Sequence, residues 1–183
     1  MKRILLIIAA LSILAFTACG QKHNKEGKQM KTLVTYFSAT GTTEAVAKQL
    51  ASMANADIQP ITPEKAYTDA DLDWTDKNSR STIEHRDDLR PAIKKADNVT
   101  SYDIIYVGFP IWWYSNPEII DTFFETYDLS GKTVILFATS GGSTIDKAVQ
   151  DLKSANPKVN IKGGKLLNNP TRSQLEEFLR DIK

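Results

Sequence analysis

Two short runs constrain this chain more than anything else in it. They are YDIIYVG at residues 102–108 and KTVILFA at residues 132–138. A strand with one wet face alternates apolar and polar residues, whereas a strand buried on both faces does not. These runs are nearly continuous in apolar residues, so both faces of the sheet they form must be covered. Thr32–Phe37 (TLVTYF) reads the same way, Asp57–Ile61 is a further strand, and residues 158–169 hold a last strand broken at Gly163-Gly164. Helical periods lie between them. Val46, Leu50 and Met53 share a face of a helix over residues 43–54. Ile120, Phe123, Phe124 and Tyr127 recur at i, i+3, i+4 and i+7. Ile145, Ala148, Val149 and Leu152 form a third apolar face, and Leu175, Phe178, Leu179 and Ile182 a fourth. Asn116-Pro117, Ser143-x-x-Asp146 and Ser173-x-x-Glu176 are the predicted starts of the last three helices. Alternating strands and helices predict an α/β domain with a parallel sheet between two helical layers. In such sheets a ligand sits beyond the carboxyl ends of the strands.

Residues 62–98 have no clean period and are rich in charge. A segment of that length is functional or conceals a helix, and a helix within residues 75–98, interrupted near Pro91, is predicted. Tyr67, Trp74, Arg80, His85, Arg86 and Arg90 belong to this segment. They are read here as a solvated, charged surface helix with one buried aromatic.

Three loops follow strands and are read together. Ser38-Ala39-Thr40-Gly41-Thr42-Thr43 joins the first strand to the first helix. Helix-start amides are unpaired and carry partial positive charge. Gly41 permits close backbone approach, and the hydroxyls of Ser38, Thr40 and Thr43 add donors, so the loop is suited to a phosphate. The loop contains no lysine or arginine, Lys48 being the first after it, and its spacing is neither GxxxxGK[ST] nor GxGxxG. Pro110-Ile111-Trp112-Trp113-Tyr114 places three large aromatics after a buried strand. They cannot all point inward, so at least one is expected at a cleft, where it could stack on a flat ligand. Thr139-Ser140-Gly141-Gly142-Ser143 offers amides and hydroxyls for the polar edge of a planar heterocycle. A flat heterocycle bearing one phosphate fits all three loops, and FMN is the candidate.

Other classes find no support. Net charge is +1, with no basic stripe for nucleic acid. One cysteine and two distant histidines make no metal-ligand cluster, and a single cysteine excludes a disulfide within the chain. The amino terminus is distinctive. Met1-Lys2-Arg3 precedes an apolar run, Ile4–Phe16, and then Thr17-Ala18-Cys19-Gly20. This is the layout of a signal peptide over residues 1–18, with Cys19 as a lipidation site and residues 19–30 as a polar tether to a domain at 31–183. Phe16 stands where a lipobox usually has leucine. Loss of Lys2 and Arg3 takes 23 basic residues to 21 against 22 acidic ones, a net charge of −1. An exported protein, held to a bacterial membrane by lipid on Cys19, is expected.

With SxTGxT after the first strand, YDIIYVGFPIWW at the third and FATSGGS at the fourth, the chain from Lys31 to Lys183 resembles the flavodoxin-like family. The resemblance implies a flavodoxin-like three-layer sandwich around a five-stranded parallel sheet in the order 2-1-3-4-5. It implies FMN, with Ser38–Thr43 on the phosphate, Pro110–Tyr114 flanking the isoalloxazine ring and Thr139–Ser143 along its other edge, Thr139, Ser140, Gly141 and Gly142 being the candidate contacts there. The near-neutral charge and the export segment depart from the acidic, cytoplasmic flavodoxins. Two activities follow from such a site. One is a redox carrier, transferring electrons between partner proteins through FMN with no catalytic side chain. The other is an NAD(P)H-dependent oxidoreductase of quinones or similar small acceptors, for which residues 64–97 would build the second site or a lid. A surface binding lipoprotein without flavin is a third reading.

Overall fold

The computed structural model describes residues 30–181. The expected signal peptide, Cys19, almost all of the tether and Ile182 lie outside these residues. Among the described residues, no helix is long and apolar enough to cross a membrane.

Five parallel strands form the sheet: β1 (Thr32–Tyr36), β2 (Asp57–Pro60), β5 (Ile104–Pro110), β6 (Thr133–Thr139) and β7 (Asn160–Leu166). Their order is β2-β1-β5-β6-β7. Two very short strands, β3 (Thr62–Pro63) and β4 (Ile93–Lys94), pair with each other outside this sheet. Without them the order is the expected 2-1-3-4-5.

The continuous apolar runs are explained by the two faces of the sheet. Leu33, Ile105, Val107, Phe109, Val134 and Leu136 face one layer, built on α3 (Glu118–Thr126) and α4 (Asp146–Ala155). Val34, Tyr36, Tyr106, Ile135 and Phe137 face the other, built on α1 (Thr42–Ala54) and α5 (Arg172–Arg180). Successive residues alternate between the faces and both faces are dry, so the runs carry no polar alternation.

Strand β7 is not broken at its glycines. The register shifts opposite Ile135, where Val134 pairs with Ile161 and Leu136 with Gly164. This is a bulge, and Gly163 takes it up at φ 154. A Cβ on Gly164 would lie 2.7 Å from Ile145 and 3.0 Å from Val149, so the glycine lets α4 lie close on the strand.

The predicted helix starts need correction. Asn116 is not a cap: helix α3 begins at Glu118 behind Pro117, and the buried Asn116 amide donates to Asp121 Oδ2 at 2.8 Å. The Ser143–Asp146 box does not form, because Ser140 Oγ takes the Ser143 amide at 2.8 Å and α4 has no side-chain cap. The last capping box is Thr171–Gln174, two residues before the predicted one.

Residues 64–92 leave and return side by side through the β3–β4 pair. The helix inside this excursion is α2, Arg80–Arg86, capped by Ser79. It ends before Pro91, at Asp87, with Asp88 at φ 47. Trp74 is not on a helix and is 74% exposed.

Candidate functional site

Beyond the carboxyl ends of β1, β5 and β6, the three loops meet around one cavity of about 400 Å³. Ser38, Ala39, Thr40, Thr42 and Thr43 line it from the first loop, Pro110, Ile111 and Trp112 from the second, and Thr139, Ser140 and Gly141 from the third. Leu72 and Asn168 complete the lining.

The Ser38–Thr43 end is built by its glycine. Gly41 precedes α1 at φ 87, a left-handed conformation, and a Cβ there would meet nothing within 4 Å. Its amide donates to Ser38 Oγ at 3.1 Å. No side chain caps α1, so its first amides are left for a ligand or water. Thr40 Oγ1 and Thr42 Oγ1, both exposed, lie 3.3 Å apart. Thr43 differs from the expected loop donor. Its buried hydroxyl shares a 2.8 Å hydrogen bond with Thr139 Oγ1, tying the first loop to the third.

The aromatic wall is strained. Trp113 and Tyr114 have φ of 44 and 69. Trp112 and Ser115 exchange both backbone hydrogen bonds, at 3.0 and 2.9 Å. This is a two-residue type I′ turn, which favours Asn and Gly at its centre. Two aromatics in that conformation cost about 1–3 kcal/mol each. Ser115 Oγ anchors the turn to Asp151 Oδ2 at 2.6 Å. The three rings are held differently. Trp112 packs edge-on against Phe37 and Tyr67, with centroids 5.5 and 5.6 Å away. Trp113 stacks on His85 at 5.0 Å and 12°. Tyr114 is 72% exposed.

Trp113 and Tyr114 therefore do not line the first cavity. With Trp112 they line a second one of about 420 Å³, together with Leu72, Trp74, Ser81, Ile111 and Ser143. The two cavities share Leu72, Ile111 and Trp112. Gly41 and Gly142 line neither; Gly41 makes the left-handed turn before α1, and the Gly142 amide donates to Ser140 Oγ at 3.1 Å.

Behind the wall lies a polar layer from α2 and α3. Tyr67 donates to Glu84 Oε2 at 2.6 Å, and Arg80 Nε donates to Glu84 Oε1 at 2.6 Å while its guanidinium lies 4.0 Å over the Tyr67 ring. Burial first, then this bond to a carboxylate, raises the Tyr67 phenol well above its usual range. His85 Nδ1 and Glu118 Oε1 are 2.7 Å apart. Burial raises the Glu118 carboxyl, with the His85 bond opposing it. Arg80 and His85 thus brace the cleft wall, which corrects the solvated-surface reading for these two, while Arg86 is exposed and paired with Asp87.

Asn168, Leu72, Trp74 and Ser81 were not among the expected site residues. Asn168 clamps the third loop at two points: its amide donates to the Ser140 carbonyl at 2.8 Å, and its carbonyl accepts from the Ser140 amide at 2.9 Å. It follows the last strand, so the carboxyl-edge rule, applied to all five strands, would have found it. Leu72, Trp74 and Ser81 come from the excursion and leave no periodic signal.

The sequence matches the flavodoxin family over residues 31–182. The chain belongs to that family. No curated protein matches it. Among solved structures, a candidate flavoprotein from Bacteroides eggerthii is 48% identical, with a TM-score of 0.81 over 84% of this chain and 98% of that one. Another from Bacteroides uniformis is also 48% identical, with a TM-score of 0.80 over 82% and 98%. A flavoprotein from Lactobacillus acidophilus, solved in complex with FMN, shares the fold at 22% identity, with a TM-score of 0.65 over 82% and 99%.

Proposed function

We propose that the protein binds one FMN in the cleft and carries electrons through it. The observation that carries this reading is the convergence of the three loops on one cavity, whose lining combines neutral hydroxyls at a helix start with Trp112. The donor set fits a phosphate: Ser38, Thr40 and Thr42 surround the first amides of α1, and anions are favoured at a helix start without a cationic side chain. The lining suits a planar ring, with Pro110–Trp112 and Thr139–Gly141 side by side on neighbouring strands, Pro110 pairing with Thr139 and the Ile111 amide donating to the Thr139 carbonyl at 2.8 Å. The family supports the assignment, and the Lactobacillus acidophilus protein of the same fold was solved with FMN. Bound FMN supplies one- and two-electron chemistry. The protein's part is to hold the phosphate, press Trp112 against the ring region and limit water there.

The test is FMN titration of the apoprotein and of Thr40→Val/Thr42→Val. Each lost bond to a charged phosphate is worth about 1.5–3 kcal/mol, so affinity should fall at least about 100-fold. Unchanged affinity would sink the phosphate assignment.

A second reading, an FMN oxidoreductase acting on a quinone or similar small acceptor, is favoured by the second cavity beside the first. Turnover with a small acceptor and no partner protein separates it from the carrier. The export segment and Cys19 support a lipid-anchored protein whose redox partners lie outside the cytoplasm.

A further inference from the structure

His85 stands behind the aromatic wall at its most strained point. Its ring stacks on Trp113, with centroids 5.0 Å apart and 12° between the planes, and Trp113 sits at φ 44, a conformation that a tryptophan does not favour. The turn that carries Trp113 is held by two side-chain contacts, Ser115 to Asp151 at its foot and His85 on the Trp113 ring. His85 is in turn fixed by Glu118, whose Oε1 lies 2.7 Å from its Nδ1. Glu118 is 6% exposed and its other oxygen, Oε2, has no hydrogen-bond partner. An ionised carboxylate so placed depends on a nearby cation.

The other charges around the pair are engaged elsewhere. Arg80 holds Glu84, which also accepts from Tyr67. Arg86 pairs with Asp87, and Arg90 with Asp88 and Glu125. On α3, Asp121 accepts from Asn116, and across the turn Asp151 pairs with Lys147. That leaves His85 as the partner of Glu118. With 35% of its side chain exposed, it exchanges protons with solvent. Histidine is the one side chain whose ordinary titration falls between about pH 5 and 8. With Glu118 ionised, the pair is neutral when His85 is protonated and carries one negative charge when it is not.

We infer, on the FMN reading of the cleft, that His85 is a positioning residue for the flavin. Bonded to Glu118, it holds the Trp113 ring and the strained turn in place, and its proton sets the charge behind them. A positive charge there favours the electron-rich, reduced form of a bound flavin over the oxidised one. Protonated His85 therefore raises the potential, and loss of the proton lowers it.

The experiment compares the whole chain with His85→Phe, which keeps a flat ring for Trp113, and with His85→Gln, which keeps a hydrogen-bond donor for Glu118. The chain has two histidines, His23 and His85, so the proton NMR signal missing from both variants is that of His85, and its titration is followed directly. Affinity for oxidised FMN should fall about two- to tenfold in His85→Gln and be restored in His85→Phe. The potential reports the ratio of affinities for reduced and oxidised FMN. At low pH that ratio should be about three- to tenfold higher in the parent than in His85→Phe, and the difference should vanish as pH rises through the His85 titration. Taking the difference removes the titration of the flavin itself and of Asp121, which burial raises to about 6 and which both proteins share. A difference that is absent, or that stays constant across the His85 titration, overturns the inference and leaves the FMN reading standing. So does unchanged FMN affinity in His85→Gln. Failure of the parent to bind FMN overturns both.

Discussion

Thr43 and Thr139 share a buried hydrogen bond of 2.8 Å between two hydroxyls. Replacing Thr43 by Val leaves Thr139 buried without its partner, at a cost of about 1–3 kcal/mol. Urea unfolding of the apoprotein should show that loss. FMN affinity should fall far less than in Thr40→Val/Thr42→Val, because the Thr43 hydroxyl is already engaged. Equal losses of affinity would return Thr43 to the phosphate. Gly108 carries a different constraint. It pairs with Phe137 across β5 and β6, and a Cβ would lie 2.1 Å from the ring. Gly108→Ala must displace a fully buried phenylalanine, so a loss of about 1–3 kcal/mol is expected, read as a lower urea midpoint. The glycine in YDIIYVG was visible in the sequence. Its cross-strand partner was not, because strand register is a tertiary fact.

Helix α3 brings two carboxyls to its first turn, Glu118 and Asp121. Burial, ahead of its other surroundings, raises Asp121 to about 6, while the Asn116 amide and Arg90 pull it down. An unfolded aspartate titrates near about 3.9. Between these values the folded chain holds a proton that the unfolded chain has released. The stabilisation is complete below about pH 4 and is lost as pH rises through about 6. Asp121→Asn keeps the neutral form and can still accept the Asn116 bond. It should be more stable than the parent at pH 7.5 by up to about 3 kcal/mol, with the gain shrinking toward pH 4. A gain equal at both values would assign the effect to packing. Glu118, also raised by burial, tilts parent and variant alike. Element identity was readable where burial imposed a period, as at Ile120, Phe123 and Phe124. Helix starts were not, because several hydroxyl or amide residues stand near each start and tertiary partners choose among them. Asn116 goes to Asp121, and Ser140 takes the amide of Ser143. The three loops of the site were legible because glycines, hydroxyls and aromatics follow buried strands. The remaining lining was not, because Leu72, Trp74 and Ser81 are placed by an excursion closed by only two residue pairs.

The parallel sheet gives the molecule two unlike ends. The chain enters at Lys31, whose amide donates to Asp103 Oδ2 at 2.9 Å at the amino edge. The cleft opens at the carboxyl edge, about 20 Å away along β1. If Cys19 carries lipid, the tether of residues 19–30 links the bilayer to the domain. It joins the domain at the end opposite the cleft and carries Lys22, Lys25 and Lys28, which favour an anionic surface. The amino edge should then face the bilayer and the cleft the water, so that redox partners and small acceptors arrive from the aqueous side. The chain supplies its own probe, because its three tryptophans, Trp74, Trp112 and Trp113, all lie at the cleft. The lipidated protein should float with vesicles, and Cys19→Ser should not. Vesicles whose acyl chains carry bromine, a contact quencher, should leave the tryptophan emission of the anchored protein unchanged. Strong quenching would mean that the cleft meets the membrane, and a membrane-dissolved acceptor would then replace a water-borne one.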